Sequence, residues 1–157
     1  MEDAKAVSKA VGLDESEAQL VQVAAAYHDC GFLQTYKKHE EVSCEMSAEI
    51  LPDFGFDKEN INQIQDLIMA TKIPQVPTSL SAQVLCDADL YYLGGEDYDS
   101  VSNLLYVELK ANGFDLTESD WLEMQINFLK HHHYWTPFAI TNLKKGKEMV
   151  LAKLKGL

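Results

Sequence analysis

The sequence predicts an all-α fold, a single-domain bundle of seven or eight helices. Apolar residues recur at helical spacing along the chain, and the strict alternation that is typical of strands is absent. Glycines, prolines and short polar residues stand where the helical segments begin or end. The length of 157 residues fits one domain. A chain of this length can bury a core without disulfides or a structural metal.

The first half of the chain contains four predicted helices. Asp14 with Glu17 three residues later resembles a capping box, and this pair starts the second helix. A helix face with Val21, Ala24 and His28 follows. The remaining boundaries are an end of the first helix at Gly12, an end of the second at Cys30-Gly31, a loop over 31–38, a third helix over about 39–51 and a cap of the fourth at Asp57.

The second half starts with a loop, because Pro74 and Pro77 exclude regular structure over 72–78. Proline is well suited to the first position of a helix, so Thr136-Pro137 opens the last one. The other predicted elements are a fifth helix over about 79–93, a sixth from Asp97 to Asn112-Gly113, and a seventh capped by Thr117.

The charge balance excludes several kinds of partner. The chain has 13 basic and 25 acidic residues, for a formal net charge of −12, and all the basic residues are lysines. Such an acidic chain repels phosphate backbones and anionic membranes, so we predict no nucleic-acid polymer and no membrane as partner. An anionic small molecule would need a local positive centre.

The cysteines and the N-terminus predict a cytoplasmic location. Three widely spaced cysteines without a CxxC motif indicate reduced thiols. The N-terminal segment has no apolar signal core, and no apolar run approaches the ~20 residues that span a bilayer.

The most informative chemical feature is His28-Asp29, at the end of the second helix. An imidazole on an apolar face must be neutral and hydrogen-bonded, or bound to a metal. The first of these alternatives is an ordinary core histidine beside a solvated aspartate. The end of the helix adds weight to the second, because the negative end of the helix dipole favours a nearby cation.

Two further clusters carry candidate residues. Asp87 and Asp89 in the fifth helix lie about 200° apart around its axis, so only one of them can face a given site, and periodicity does not choose between them. Lys37, Lys38 and His39 follow His28-Asp29 and are among the few positive groups in that half of the chain. The run His131-His132-His133 is interpreted as a solvated turn next to one packed aromatic residue.

These pieces in order resemble the HD superfamily of metal-dependent phosphohydrolases. The resemblance covers nearly the whole chain and includes a bacterial branch of that superfamily, which the segment 128–136 resembles. The matching segments are Tyr27-His28-Asp29, Gly31-Phe32, His39-Glu40-Glu41-Val42-Ser43, Leu85-Cys86-Asp87-Ala88-Asp89-Leu90 and Leu93-Gly94.

The resemblance implies a helical bundle of HD-domain type over residues 1–157 and a metal site. That site would consist of a His, the His-Asp pair and a distal Asp. His28 and Asp29 match the pair, and Asp89 matches the distal position best, with Asp87 as the second choice. Residues 1–27 contain no His for the first ligand, so we expect that the N-terminal helix is truncated and that this His lies upstream of Met1. His39 then becomes a candidate fourth or second-metal ligand.

The implied activity is hydrolysis of a phosphate monoester or diester, in particular of a nucleotide, by a water bound to a divalent metal ion. Mixed imidazole and carboxylate ligands suit Mn, Fe, Zn or Mg. Asp29 and His39 are the predicted catalytic residues. Lys37, Lys38 and Lys72 would hold phosphate as point charges, since the chain has no arginine for a bidentate clamp.

A second function stays open. A non-catalytic HD-fold domain with an incomplete metal site would instead bind a nucleotide or a protein partner. The oligomeric state does not follow from the sequence.

Overall fold

The computed structural model describes residues 1–156. That part of the chain forms eight α-helices and three short 3₁₀ helices and contains no strand, which confirms the all-α prediction. The α-helices are α1 (Glu2–Val11), α2 (Glu15–Tyr27), α3 (His39–Ile50), α4 (Lys58–Ala70), α5 (Leu80–Asp89), α6 (Tyr98–Ala111), α7 (Glu118–His131) and α8 (Pro137–Leu154). The 3₁₀ helices are Cys30–Leu33, Leu51–Phe54 and Tyr91–Gly94.

Several predicted helix boundaries are confirmed by their capping interactions. The Asp14 carboxylate accepts a hydrogen bond from the Glu17 backbone N–H at 2.8 Å. The Glu17 carboxylate in turn accepts one from the Asp14 backbone N–H, which completes a capping box. Asp57 caps α4, and Thr117 caps α7. Gly12 ends α1 with φ 78°, a left-handed conformation that glycine adopts without a steric cost.

Two helices end earlier than the sequence predicts. The second ends at Tyr27, and the chain then tightens into the 3₁₀ helix Cys30–Leu33, where a loop was expected. The fifth ends at Asp89, because Leu90 leaves the helical region with φ −103° and ψ 23°. Short 3₁₀ segments at helix ends are common, since they satisfy carbonyls that the α-helix leaves without partners.

The chain divides into two compact units, and the first consists of residues 1–89 and 135–138. Within it α2 packs against α1, α4 and α5, and α3 packs against α4. The apolar stripe of α4 is buried and consists of Ile61, Ile64, Leu67 and Ile68. Burial of such stripes is the main force that holds helices together.

The second unit consists of Leu90–Tyr134 and the chain from Ala139 onwards. One of its apolar clusters joins Leu90, Leu93, Tyr98 and Leu129, with residues of α8 packed against it. A Cβ atom at Gly146 would overlap the backbone carbonyl of Gly94, so only glycine permits this approach. That the whole chain acts as one domain stays a prediction.

No helix in the described part of the chain is long and apolar enough to cross a membrane.

Candidate metal centre

His28 directs one ring nitrogen at two carboxylates. Its Nδ1 lies 3.1 Å from the carbonyl oxygen of Ala25, and since a carbonyl only accepts, Nδ1 carries the proton of the neutral ring. The lone pair is then on Nε2, which lies 3.3 Å from Oδ1 of Asp89 and 3.3 Å from Oδ2 of Asp29. A metal-binding histidine is commonly oriented in this way, with its other nitrogen donating to a carbonyl.

Ser43 of α3 holds the turn that carries His28 and Asp29. Its hydroxyl donates to the carbonyl of His28 at 2.8 Å and accepts from the backbone N–H of Gly31 at 2.8 Å. Ser43 is fully buried. A methyl group on Gly31 would overlap the backbone of His39, the first residue of α3. Only glycine therefore permits the 3₁₀ helix to approach α3 this closely. The small residues at these two positions therefore bring the His28 turn against α3.

The two aspartates of α5 face different partners. Asp89, the last residue of the helix, reaches His28, while the carboxylate of Asp87 accepts hydrogen bonds from the backbone N–H groups of Trp135 and Thr136, both at 2.8 Å. Asp87 is fully buried. The structure therefore brings Asp89 to the His-Asp pair and places Asp87 on the backbone that precedes α8. The periodicity of α5 left this choice open, and the resemblance favoured Asp89.

His28, Asp29 and Asp89 form a group that we term the three-donor cluster. One potential ligand atom from each residue lies within 4.8 Å of the others. The Asp29 side chain is 56% exposed, whereas those of His28 and Asp89 are 16% and 21% exposed. Solvent therefore reaches the cluster on the side of Asp29.

The electrostatics of the three-donor cluster favour a positive charge. Burial lowers the pKa of His28, but the hydrogen bond and charge of Asp89 and the charge of Asp29 outweigh it, so the pKa lies above its ordinary value. Burial raises the pKa of Asp29, His28 opposes this effect, and the Asp89 carboxylate adds to it. A cation, either a proton or a metal ion, would therefore stabilise the two closely spaced carboxylates.

His39, the first residue of α3, stands next to the three-donor cluster. Its Nε2 lies 3.6 Å from Oδ1 of Asp29, and its Nδ1 lies 3.5 Å from Oε2 of Glu40. The ring stacks on Phe32 with centroids 3.7 Å apart. The two oxygens of Asp29 are therefore divided between His28 and His39.

The three predicted phosphate-binding lysines are placed differently. Lys37 and Lys38 are exposed and directly precede His39, and Lys38 has a left-handed backbone with φ 61°. Lys72 lies beyond the end of α4 and pairs with Glu41, with Nζ 2.7 Å from Oε1. That ion pair joins Lys72 to the first turn of α3.

The profile of one protein family matches this chain over residues 1–93, and the family is the HD domain. The matched range covers more than half of the chain and includes the three-donor cluster and His39. The chain belongs to the HD domain family. A search of curated proteins and a search of solved structures found no match.

HD domains generally bind divalent metals, and the residues of this HD domain fit such an ion. One imidazole nitrogen and two carboxylates are donors that Mn, Fe, Zn and Mg accept, and the proton on Nδ1 leaves Nε2 of His28 available. His28, Asp29 and Asp89 would hold the ion. The segment before His28 contributes no histidine, because residues 1–27 contain none.

The histidine run of the second unit is solvated, as the sequence predicts, at His131 and His133 but not at His132. His132 is half-buried, with Nδ1 3.5 Å from Nζ of Lys147 and its ring edge-on to Tyr134. Burial and the positive charge of Lys147 lower its pKa to about 3. Tyr134 is the packed aromatic residue that the sequence predicts here, at 5% exposure.

Sequence reasoning missed two side chains at the centre. The amide nitrogen of Gln75 lies 3.4 Å from Oδ2 of Asp89. Gln75 belongs to the loop with Pro74 and Pro77, where no periodic pattern indicates the direction of a side chain. Ser43 belongs to a segment that carries the resemblance, but its hydroxyl had no predicted role, although the spacing from His39 to Ser43 places both on one face of α3.

Proposed function

We propose that this HD domain is a metal-dependent phosphohydrolase that cleaves a phosphate monoester or diester of a nucleotide. The observation that carries the proposal is the convergence of three side chains. His28 and Asp29 directly follow α2, Asp89 is the last residue of α5, and one potential ligand atom of each lies within 4.8 Å of the others. Membership of the HD family supports the reaction class.

A divalent ion, Mn, Fe, Zn or Mg, completes the site in this proposal. When bound, such an ion lowers the pKa of a coordinated water towards ~7 and polarises a phosphoryl oxygen. Nε2 of His28, Oδ2 of Asp29 and Oδ1 of Asp89 are the atoms that would hold it. The ion also supplies the positive charge that a chain with net charge −12 otherwise lacks for an anionic substrate.

We assign proton transfer to His39 and Asp29. Glu40 faces Nδ1 of His39 and Phe32 fixes the plane of the ring, so Nε2 is the nitrogen that can exchange a proton at the site. Nε2 lies 3.6 Å from Oδ1 of Asp29, on the side of the ring that faces the three-donor cluster. A histidine oriented in this way is suited to general acid–base catalysis.

Lys37 and Lys38 are the preferred phosphate-binding residues, because both side chains are exposed to solvent. Lys72 would have to exchange Glu41 for the phosphate, and the short Nζ–Oε1 distance of 2.7 Å makes it the weaker candidate.

The net charge argues against nucleic-acid polymers and membranes as partners. All three cysteines are free thiols, in keeping with a cytoplasmic location.

A non-catalytic domain that binds a nucleotide or a protein partner is the second candidate. The observation in its favour is that the three-donor cluster offers three side chains, whereas the ring nitrogens of His39 face carboxylates, Asp29 at 3.6 Å and Glu40 at 3.5 Å. A site with few protein ligands binds a metal more weakly and leaves it less well oriented.

Hydrolysis assays distinguish the two candidates. Metal-free protein, supplied with Mn²⁺ or Mg²⁺, would be assayed on p-nitrophenyl phosphate, bis(p-nitrophenyl) phosphate and nucleotides. The proposal predicts metal-dependent hydrolysis, and His39→Gln lowers kcat by ~100-fold or more with metal binding retained. Asp66→Asn, an exposed aspartate of α4, is the control for a change of charge. Metal binding without hydrolysis of any of these esters would favour the non-catalytic domain.

A further inference from the structure

We infer that Gln75 and Trp135 are positioning residues that hold Asp89 in place for the metal ion. Gln75 lies between the two partners, with its amide nitrogen facing the Asp89 carboxylate and its amide oxygen facing the Trp135 indole. The inference rests on the proposed metal centre and adds to it two residues that do not themselves reach the ion.

The Asp89 carboxylate is contacted at both of its oxygens. Oδ1 lies 3.3 Å from Nε2 of His28, and Oδ2 lies 3.4 Å from the amide nitrogen of Gln75. The same nitrogen lies 3.5 Å from the carbonyl oxygen of Cys86, so its two hydrogens have two acceptors on α5. These contacts restrict rotation of the carboxylate and direct Oδ1 towards His28.

Trp135 determines which end of the Gln75 amide faces Asp89. Its indole nitrogen lies 3.5 Å from the Gln75 amide oxygen. An indole N–H only donates, so the oxygen of Gln75 must face it. The amide nitrogen, a donor, is then the end that faces the carboxylate, whereas the reverse orientation would place two acceptors together.

Trp135 is itself fixed to the helix that carries Asp89. Its backbone N–H donates to Oδ1 of Asp87 at 2.8 Å, and the N–H of Thr136 donates to Oδ2 at 2.8 Å. Hydrogen bonds to a buried carboxylate are among the stronger ones in proteins. The segment 135–138 belongs to the first unit, although 45 residues separate it from the rest of that unit along the chain. Asp87 thus places the indole, and the indole and Gln75 place Asp89.

The size of the expected effect follows from other metal sites. Residues that hydrogen-bond to metal ligands typically contribute 10- to 100-fold to metal affinity. The contacts of Gln75 with Asp89 and Trp135 are long for hydrogen bonds. We therefore expect an effect near the lower end of that range. Trp135 lies outside the 1–93 range that the HD profile matches.

The test is a Mn²⁺ titration of the metal-free chain by calorimetry. Gln75→Met keeps the size of the side chain and removes both polar groups, and Trp135→Phe removes the N–H and keeps an aromatic ring. Each is expected to weaken Mn²⁺ binding by ~10-fold, and the double variant by about as much as either alone, because both act through one chain of contacts. Trp121→Phe, the other tryptophan of the chain, is the matched control and leaves the affinity unchanged.

A spectroscopic readout separates positioning from general loss of structure. In Trp121→Phe the sole tryptophan is Trp135, and its emission is expected to change on addition of Mn²⁺ with the same midpoint as the calorimetric titration. Thermal unfolding of each metal-free variant reports on the fold. If Gln75→Met and Trp135→Phe both bind Mn²⁺ as tightly as the wild type, the inference is wrong and the metal centre stands. If the wild type binds no Mn²⁺, the metal centre and the inference both fail.

Discussion

Nε2 of His28 lies 3.3 Å from Oδ1 of Asp89, although the two residues are 61 positions apart. His28 follows the last residue of α2, and Asp89 is the last residue of α5. The packing of α2 against α5 brings these two helix ends together. The contact depends on residues that do not touch it, notably Ser43 behind His28 and Asp87 on the other side of α5.

Asp87→Asn is expected to destabilise the fold. The carboxylate of Asp87 accepts two backbone N–H groups at 2.8 Å and is fully buried, and an amide in its place would turn one donor towards a donor. Leaving such a group without an acceptor costs about 1–3 kcal/mol. Urea unfolding measures the loss, and Asp115→Asn, an exposed aspartate, is the control that should change little. Equal stability of both variants would show that Asp87 is not needed to hold the segment before α8.

Ser43→Ala is expected to loosen the turn of His28 and Asp29. The hydroxyl makes two hydrogen bonds of 2.8 Å, to the carbonyl of His28 and from the N–H of Gly31. We expect a loss of about 1–3 kcal/mol in the free energy of unfolding, together with weaker binding of Mn²⁺.

Ser47 provides a matched control for this substitution. It is equally buried on the same helix, but its hydroxyl donates to the carbonyl of Cys44 within α3. Ser47→Ala should therefore cost less than Ser43→Ala and leave Mn²⁺ affinity unchanged. Similar losses for both serines would mean that Ser43 contributes only ordinary packing.

His132 is expected to make the protein sensitive to acid. Its pKa is about 3 in the folded chain, below the ordinary value of 6.5, because the ring is buried near Lys147. The unfolded chain binds the proton first, so stability from the neutral ring is complete above pH 6.5 and is lost as the pH falls towards 3. The slope is at most about 1.4 kcal/mol per pH unit.

Comparing unfolding at several pH values isolates the contribution of His132. His132→Gln should lose less stability than the wild type between pH 7 and pH 5. His131→Gln, at an exposed neighbour, should follow the wild type. If His132→Gln and the wild type lose stability in parallel, the ring does not remain neutral in the folded state.

Local signals in the sequence predicted most of the fold and part of the candidate site. Asp14, Asp57 and Thr117 cap helices as expected, because capping depends on residues only three positions apart. The helical pattern could not select the distal aspartate, because Asp87 and Asp89 flank the apolar stripe of α5 about equally. The choice depends on Trp135 and Thr136, whose N–H groups occupy Asp87, and no pattern within α5 contains that information.

Periodicity could not predict the position of Gln75 for another reason. It lies in an irregular loop whose path is set by the helices on either side, and a side chain there has no regular direction. The end of α5 at Asp89 also depends on tertiary contacts. The carbonyl of Leu90 accepts from the Tyr134 hydroxyl at 3.4 Å, a residue far along the chain.

The central claim is that His28, Asp29 and Asp89 hold a divalent metal ion, and calorimetric titration of the metal-free protein with Mn²⁺ tests it most directly. We predict saturable binding that Asp89→Asn weakens at least ~10-fold, because the substitution removes one of three ligands, while Asp66→Asn leaves it unchanged. Absence of saturable binding by the wild type, or equal binding by Asp89→Asn, would contradict the claim.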